Sequence, residues 1–211
     1  MKQFFINKNS DNLLIFFTGW GCDEYEFEHL DSDSDILLFY DYYDLSFNFD
    51  FSKYKKIELM AFSAGVFVAS IIDFDFGINR KIAVSGNPYL FDEKLGLSKY
   101  IQEVLCNITE KNADDFAKNY LIKTDEEWTR FHHSRRTLES CRIEFDSLKN
   151  IYKNQKDKIN NIYDIAIIGA EDPIFDVIAQ KEFYGTKLKI IKNARHNLFF
   201  RINKYEQLFN L

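Results

Sequence analysis

The strongest constraint on the fold is a series of apolar runs of strand length that recur along the chain. Most of them are continuous rather than alternating, which predicts strands covered on both faces, as in a parallel sheet. Ala64–Ile72 and Asp172–Phe183 each follow one run and are candidate helices. Strand, helix and strand in succession are typical of an α/β fold, so we expect a mostly parallel sheet of about seven strands. The runs are Phe4–Ile6, Leu13–Phe17, Ile36–Tyr40, Ile57–Ala61, Lys81–Ser85, Ile165–Ile168 and Leu188–Ile191.

Two stretches modify this plan. The polar segment Asn7–Asn12 separates the first two runs and predicts that they form an antiparallel hairpin. Between about residues 89 and 160 the strand signal disappears, and apolar positions such as Leu97, Ile101 and Leu105 fall at helical spacing. We interpret this region as a helical lid insert in a single domain of residues 1–211, and a plain run of crossover helices is the alternative.

Charge and cysteine content exclude several classes of protein. Lys and Arg number 27 against 33 Asp and Glu, a net charge of −6, which argues against nucleic acid as a partner. No apolar run approaches the roughly 20 residues needed to span a bilayer, so no membrane association is expected. Met1–Asn7 becomes polar too soon for a signal peptide. Cys22, Cys106 and Cys141 are odd in number and lack metal-ligand spacing, which favours free thiols in a cytoplasmic protein.

The sharpest local signal is the segment Leu59–Phe67, in which a strand runs into Ser63 and a small-residue helix leaves it. This is the context of a nucleophile elbow, whose strained turn lifts the serine hydroxyl clear of the sheet. Such a turn needs small residues two before and two after the serine, and Ala61 and Gly65 supply them. A serine in a tight turn without catalysis is the alternative for this segment alone.

A serine hydroxyl needs a base and a group that orients the base. In enzymes with such an elbow, the chain order is serine, acid and histidine, with the last two on loops after late strands. His196 follows the last predicted strand, and Asp172 ends the strand before it, so we predict a triad of Ser63, Asp172 and His196. Glu171 and Asp176 are rival acids, and helix capping is the alternative role of Asp172.

The loop after the second run, Thr18–Cys22, carries two glycines and is the candidate oxyanion loop. We expect the backbone N–H groups of Trp20 and Ala64 to meet beside Ser63, where they would bind the negative oxygen of a tetrahedral intermediate. Simple turn chemistry around the glycines is the alternative. The Trp20 ring is also a candidate wall of an acyl-binding slot.

With these residues in place, the chain resembles the α/β-hydrolase superfamily, and within it the BioG-type pimeloyl-[acyl-carrier protein] methyl ester esterases. The resemblance runs nearly end to end, and the tyrosine-rich stretch Tyr40–Leu45 is its most family-specific part. The other matching segments are Phe17–Gly21, Ala61–Val66, Val84–Pro88, Glu171–Phe175 and Arg195–Phe200.

The resemblance implies a serine carboxylesterase that removes the methyl group from pimeloyl-[acyl-carrier protein] methyl ester during biotin biosynthesis. Ser63 would attack the ester carbonyl, His196 would act as base and then as acid, and Asp172 would orient His196. The reaction requires no metal and no organic cofactor. The alternatives are an acyl-thioesterase, a general short-chain esterase, and a non-enzymatic protein that binds acyl-carrier protein.

Charge is distributed unevenly along the chain. The segment from Arg130 to Lys158 carries a net charge of +4, and the remainder carries −10. A positive segment would favour capture of an acidic carrier protein, and Arg135, Arg136 and Arg142 are the candidate contacts. A solvated helix face is the alternative. The sequence does not set the oligomeric state, although a monomer is the simplest expectation.

Overall fold

One sheet of seven strands forms the centre of the computed structural model, which describes residues 1–211. In chain order the strands are β1 (Lys2–Ile6), β2 (Asn12–Phe17), β3 (Asp35–Tyr40), β4 (Lys56–Phe62), β5 (Arg80–Val84), β6 (Ile165–Gly169) and β7 (Leu188–Ile191). Their order across the sheet is β1-β3-β2-β4-β5-β6-β7, and every neighbouring pair is parallel except β1 with β3. The prediction of a mostly parallel sheet of about seven strands is confirmed.

The prediction that the first two strands form an antiparallel hairpin is wrong. β1 pairs with β3, from Lys2 opposite Tyr40 to Ile6 opposite Ile36, whereas β2 lies between β3 and β4 and is parallel to both. Burial explains the difference, because five of the six β2 residues are buried and none of β1 is fully buried. The more apolar strand, β2, takes the interior position. The polar segment 7–11 therefore connects β1 to β2 across the end of β3.

Both faces of the sheet are covered, and β2 shows how. Leu13, Ile15 and Phe17 enter one hydrophobic cluster, while Leu14 and Phe16 enter the cluster on the other face. Alternate residues of a strand point to opposite faces, so a strand covered on both sides is apolar throughout. This is why the continuous apolar runs located the strands. No helix of the structure is both long and apolar enough to cross a membrane.

The helices are placed mostly as the sequence predicts. They are α1 (Ala64–Ile71), α2 (Lys99–Cys106), α3 (Ala113–Phe116), α4 (Asp125–Arg130), α5 (Leu138–Gln155), α6 (Val177–Tyr184) and α7 (Glu206–Phe209), and a π-helix spans Ala117–Leu121. The candidate helix Asp172–Phe183 begins later than predicted, because the Asp172 side chain accepts hydrogen bonds from the backbone of Ile174 and Phe175 in a turn. Asp176 is the residue that caps α6.

The segment between β5 and β6 contains helices and loops but no strand, and its helices are held in different ways. α5 buries Glu144, Phe145 and Leu148, and the two apolar residues join the main hydrophobic cluster. α3 buries no residue, and the π-helix buries only Ala117. The boundaries of the insert, about 89–160, stay a prediction.

Candidate active site

Ser63 joins β4 to α1 in a strained conformation, with φ 52° and ψ −119°. A non-glycine residue with positive φ is uncommon, and it is the geometry of a nucleophile elbow. The close fit around it explains Gly65, because a Cβ on that residue would lie 2.5 Å from the carbonyl oxygens of Phe17 and Thr18. The end of β2 therefore contacts the first turn of α1 directly. Ala61 is fully buried in the sheet below.

Three polar side chains from distant parts of the chain meet at this turn. The Ser63 hydroxyl Oγ lies 3.0 Å from Nε2 of His196. On the other side of the ring, Nδ1 lies 2.9 Å from Oδ2 of Asp172. Because a carboxylate can only accept, Nδ1–H donates to Asp172 and Nε2 is left to accept from Ser63.

Asp172 and His196 are both buried, at 7% and 2% exposed. The second carboxylate oxygen of Asp172 accepts the N–H groups of Ile174 and Phe175 at 2.8 and 3.1 Å, so both carboxylate oxygens have hydrogen-bond donors. The imidazole packs against the Phe175 ring, nearly parallel at 5.8 Å between centroids, and against Phe62 at 5.2 Å. Hydrogen bonds and packing together fix the ring in one orientation.

Backbone hydrogen bonds also join the loop that carries His196 to the helical segment between β5 and β6. The backbone N–H of Asn197 donates to the Leu121 carbonyl at 2.8 Å, and that of His196 donates to the Tyr120 carbonyl at 3.4 Å. Both acceptors belong to the π-helix, a rare type of helix that is frequently found at functional sites.

The rival candidates lie in other environments. Glu171 pairs with Lys123 and Asp176 caps α6, so neither reaches His196. Of the other histidines, His133 pairs with Asp114, and His29 stacks on Phe200. His132 packs on Tyr25.

The predicted oxyanion loop, Thr18–Cys22, follows β2 and passes over the elbow. Gly19 lies so close that a Cβ there would be 3.3 Å from the Cβ of Ser63. The backbone N–H of Trp20 donates to no acceptor in the protein, and Ala64 is the first residue of α1, whose N–H has no partner within its helix. The cavity beside Ser63 is lined by both residues.

That cavity has a volume of about 180 Å³ and opens from Ser63 and His196 under the helical segment. One part is apolar and is formed by residues of α2, α3 and the π-helix together with residues of the neighbouring loops. The other part is polar and includes Glu26, Arg136 and Asn197. The apolar lining includes Leu90, Leu97, Leu105, Ile108, Phe116, Leu121 and Ile174. No group of three His, Cys, Asp or Glu side chains is arranged to hold a metal ion.

Glu26 in the polar part was not predicted from the sequence. Its carboxyl group is buried, and Asn197, the neighbour of His196, donates to it at 3.1 Å. Burial raises the pKa of Glu26 to about 7, and the charge of Asp23 adds to this. Burial likewise raises the pKa of the Cys22 thiol well above its ordinary value. All three cysteines are free thiols.

The three candidate arginines separate into two groups. Arg135 and Arg142 are exposed, with the Arg135 guanidinium 3.7 Å above the Tyr25 ring. The Arg136 side chain is only 5% exposed, because Asp41 and Glu144 bind it at 2.7 and 2.6 Å. Arg136 is therefore not on the surface where a carrier protein would dock, and the sequence prediction is corrected on this residue.

Comparisons with known proteins agree with one another. The family model for the pimeloyl-ACP methyl esterase BioG matches residues 1–208. The crystal structure of BioG from Haemophilus influenzae superposes with a TM-score of 0.84 at 26% sequence identity, over 99% of both chains.

Two further relatives extend the comparison. A malonyl-[acyl-carrier protein] O-methyltransferase of Bacteroides fragilis is 30% identical over 169 residues, which are 77% of this chain and 34% of that longer protein. An alpha/beta hydrolase fold protein from Burkholderia ambifaria has a TM-score of 0.62 at 10% identity, over 98% of this chain and 90% of that one. The second similarity concerns the fold alone.

Proposed function

We propose, from the premise that this chain belongs to the BioG family of pimeloyl-ACP methyl esterases, that Ser63, His196 and Asp172 are the catalytic triad of its ester hydrolysis. The chain is an ester hydrolase with a role in biotin synthesis, as its family match and its BioG structural neighbour indicate. The observation that carries the assignment of residues is the pair of distances at His196, 3.0 Å to Ser63 and 2.9 Å to Asp172.

In the first half of the reaction, Ser63 Oγ attacks the carbonyl carbon of the methyl ester while Nε2 of His196 takes the hydroxyl proton. Asp172 stabilises the imidazolium that forms and holds the ring in the tautomer that can accept the proton. The carbonyl oxygen becomes an oxyanion, and the free N–H groups of Trp20 and Ala64 are its donors. His196 then gives its proton to the departing methoxy group, which leaves as methanol.

In the second half, water attacks the acyl-serine with His196 again as base, and the free carboxylate leaves as Ser63 regains its proton. The apolar part of the cavity supports binding of the acyl chain, because burial of methylene groups against leucine and phenylalanine side chains is favourable. Apart from the attacking water, all the catalytic groups in this scheme are side chains and backbone N–H groups of this chain.

The partner we propose is an acyl-carrier protein that bears the ester. Arg135 and Arg142 are exposed and lie in the positively charged segment 130–158. Each is close to residues that line the cavity, since Arg135 follows Ser134 and Arg142 donates to the Ile108 carbonyl at 3.2 Å. Carrier proteins of this class are acidic, so charge attraction would bring the acyl chain to the cavity mouth.

The test is methanol release from pimeloyl methyl ester carried on acyl-carrier protein, with the intact chain and with Ser63→Ala. We expect the substitution to lower kcat by at least about 10⁴-fold, because the acyl-enzyme can no longer form. Ser134→Ala is the matched control, since Ser134 also lines the cavity and makes no hydrogen bond with His196.

Two results would contradict the proposal. Undiminished methanol release by Ser63→Ala would remove Ser63 from the mechanism. Release of the free carrier thiol in place of methanol would show that the chain cleaves the thioester instead.

A further inference from the structure

The long helix α5, on the far side of the oxyanion loop from Ser63, contacts that loop at several points. The indole Nε1–H of Trp20 donates to the Cys141 carbonyl at 2.6 Å, and the Trp20 ring packs on Phe145 at 5.4 Å. The backbone N–H of Gly21 donates to Oε2 of Glu144 at 2.9 Å. α5 thus holds the side chain of Trp20 and the backbone of the next residue, Gly21.

Glu144 connects this loop to a second one. Its other oxygen, Oε1, accepts the backbone N–H of Tyr42 at 3.0 Å. The Tyr42 hydroxyl returns to the oxyanion loop and donates to the Thr18 carbonyl at 2.8 Å. Tyr42 lies in the stretch Tyr40–Leu45, the most family-specific part of the sequence, for which the triad gives no role.

Charges hold the Glu144 side chain in place. The residue is 1% exposed, and Arg136 donates to its Oε2 at 2.6 Å and to Asp41 at 2.7 Å. Lys2 pairs with the other oxygen of Asp41 at 3.0 Å, so two cations balance two anions. A buried carboxylate costs free energy unless donors surround it, and here three N–H groups do so.

Burying these charged side chains costs desolvation free energy, and a hydrophobic residue would fill the same volume without that cost. Packing alone therefore does not explain the cluster. What a carboxylate does, and an alkyl group cannot, is accept two backbone N–H groups from two loops at once. One of these loops carries the Trp20 N–H that we propose as an oxyanion donor. Donors of this kind act only when they are fixed in advance, and a misplacement of about 1 Å can cost roughly 100-fold in rate.

We infer that Glu144 is a positioning residue for the esterase reaction, which fixes the oxyanion loop through Gly21 and Tyr42, with Arg136 and Asp41 holding its carboxylate in place. This inference rests on the proposed function. It means that α5 is a fixed wall of the active site, and that a lid movement which withdrew α5 would dismantle the oxyanion hole.

The first experiment compares Glu144→Gln with the intact chain. Glutamine keeps the volume but offers one oxygen in place of two, so one of the loops loses its acceptor. We expect kcat to fall about 10- to 100-fold with KM changed less than twofold. Asp146→Asn is the matched control, because Asp146 is an exposed acid on the same helix without hydrogen bonds.

Two further measurements separate positioning from a general structural role. Affinity for an alkyl boronic acid, whose serine adduct is tetrahedral, should fall by the same factor as kcat. The downfield NMR signal of the His196 Nδ1 proton should stay in place, because the pair with Asp172 is untouched. An unchanged kcat, a loss carried by KM, or a displaced histidine signal would overturn the inference.

Tyr42→Phe keeps the test open if Glu144→Gln does not fold. It removes only the hydroxyl, which lies 2.8 Å from the Thr18 carbonyl oxygen and 3.1 Å from the Phe39 carbonyl oxygen. We expect kcat to fall about 3- to 10-fold with the same fall in boronate affinity. Full activity of a folded Tyr42→Phe would then overturn the inference.

Ser63→Ala, measured in parallel on a soluble p-nitrophenyl ester, distinguishes failure of the proposed triad from failure of the proposed role of Glu144. Full activity of Ser63→Ala would refute the triad and leave Glu144 without an oxyanion to serve.

Discussion

The carboxyl edge of the sheet and the helical segment above it line the same cavity, but different forces hold them. At the sheet edge, Ser63 sits between a buried strand and a helix with seven buried residues, and a single added Cβ at Gly65 would collide with backbone. In the helical segment, α3 buries nothing, and α5 is held by an ion-pair cluster as well as by the buried side chains of Phe145 and Leu148. The comparison indicates that backbone packing at the edge holds the proposed triad, whereas α5 of the helical segment holds the proposed oxyanion loop. The exposed surface of that segment is where we expect the substrate to be captured.

Asp172→Asn is the largest predicted effect and tests the sheet edge. The amide keeps an oxygen for the Ile174 and Phe175 N–H groups, so the turn survives. It can no longer hold His196 in the tautomer that accepts a proton or stabilise the imidazolium. We expect kcat to fall about 10⁴-fold with KM nearly unchanged, measured by methanol release.

Asp176→Asn is the control for that variant. It lies four residues further on and caps α6 with its side chain, so it tests the same kind of change outside the proposed triad. We expect at most about 1 kcal/mol of stability to be lost and kcat to stay the same. Equal kcat values for the two variants would contradict the assignment of Asp172.

Gly65→Ala tests the backbone packing itself. The new methyl group would lie 2.5 Å from the carbonyl oxygens of Phe17 and Thr18, so α1 must move away from β2 and carry the Ala64 N–H with it. We expect the free energy of unfolding to fall by about 1–3 kcal/mol and kcat to fall about tenfold. Urea unfolding and steady-state kinetics measure the two effects.

The same substitution at Gly77 is the control, because no atom lies within 4 Å of a Cβ there. We expect Gly77→Ala to leave both quantities near those of the intact chain. If the two glycine variants behave alike, close packing at the elbow does not limit the site.

Glu26→Gln tests a buried charge between the two regions. Burial raises the pKa of Glu26 to about 7 from an ordinary value near 4.5, so between these pH values the folded protein holds a proton that the unfolded chain has lost. Stability therefore falls as the pH rises through this window, and the full cost is present above it. We expect the intact chain to lose about 2 kcal/mol more than Glu26→Gln between pH 5 and pH 8.

Urea unfolding at several pH values measures this difference. Glu28→Gln is the control, since Glu28 is exposed two residues further along, and it should follow the intact chain. Parallel stability curves for the intact chain and Glu26→Gln would show that Glu26 is already ionised at pH 5.

The sequence predicted what local signals encode. Continuous apolar runs located the strands because β2 to β6 are covered on both faces, and the serine between a strand and a small-residue helix located the elbow. The partner of β1 could not be found in this way, because a polar turn is compatible both with a hairpin and with a return past a third strand.

The ion-pair cluster shows a second limit. Arg135 and Arg136 are adjacent arginines, and only Arg136 is buried, because it pairs with Asp41 and Glu144. Asp41 lies 95 residues away in the chain, so the sequence around Arg136 does not reveal this pair. A usable signal was nevertheless present at Glu144, which shares helical spacing with the apolar positions Cys141, Phe145 and Leu148 of α5. A charged residue on an apolar helix face predicts a buried pair.

Reversing two exposed charges, with Arg135→Glu and Arg142→Glu together, tests the surface of the helical segment and has the smallest expected effect of this series. Both side chains are solvated, so their attraction to an acidic carrier protein is long-range and screened by salt. We expect kcat/KM for the carrier-bound ester to fall about tenfold at low ionic strength, and the difference to shrink in about 0.5 M salt. Hydrolysis of a soluble p-nitrophenyl ester should not change.

The control variant, Lys55→Glu with Lys56→Glu, makes the same charge change at the amino end of β4, on the opposite edge of the sheet. An equal loss of kcat/KM in that variant would mean that net charge, rather than the surface around the cavity, governs capture of the carrier protein.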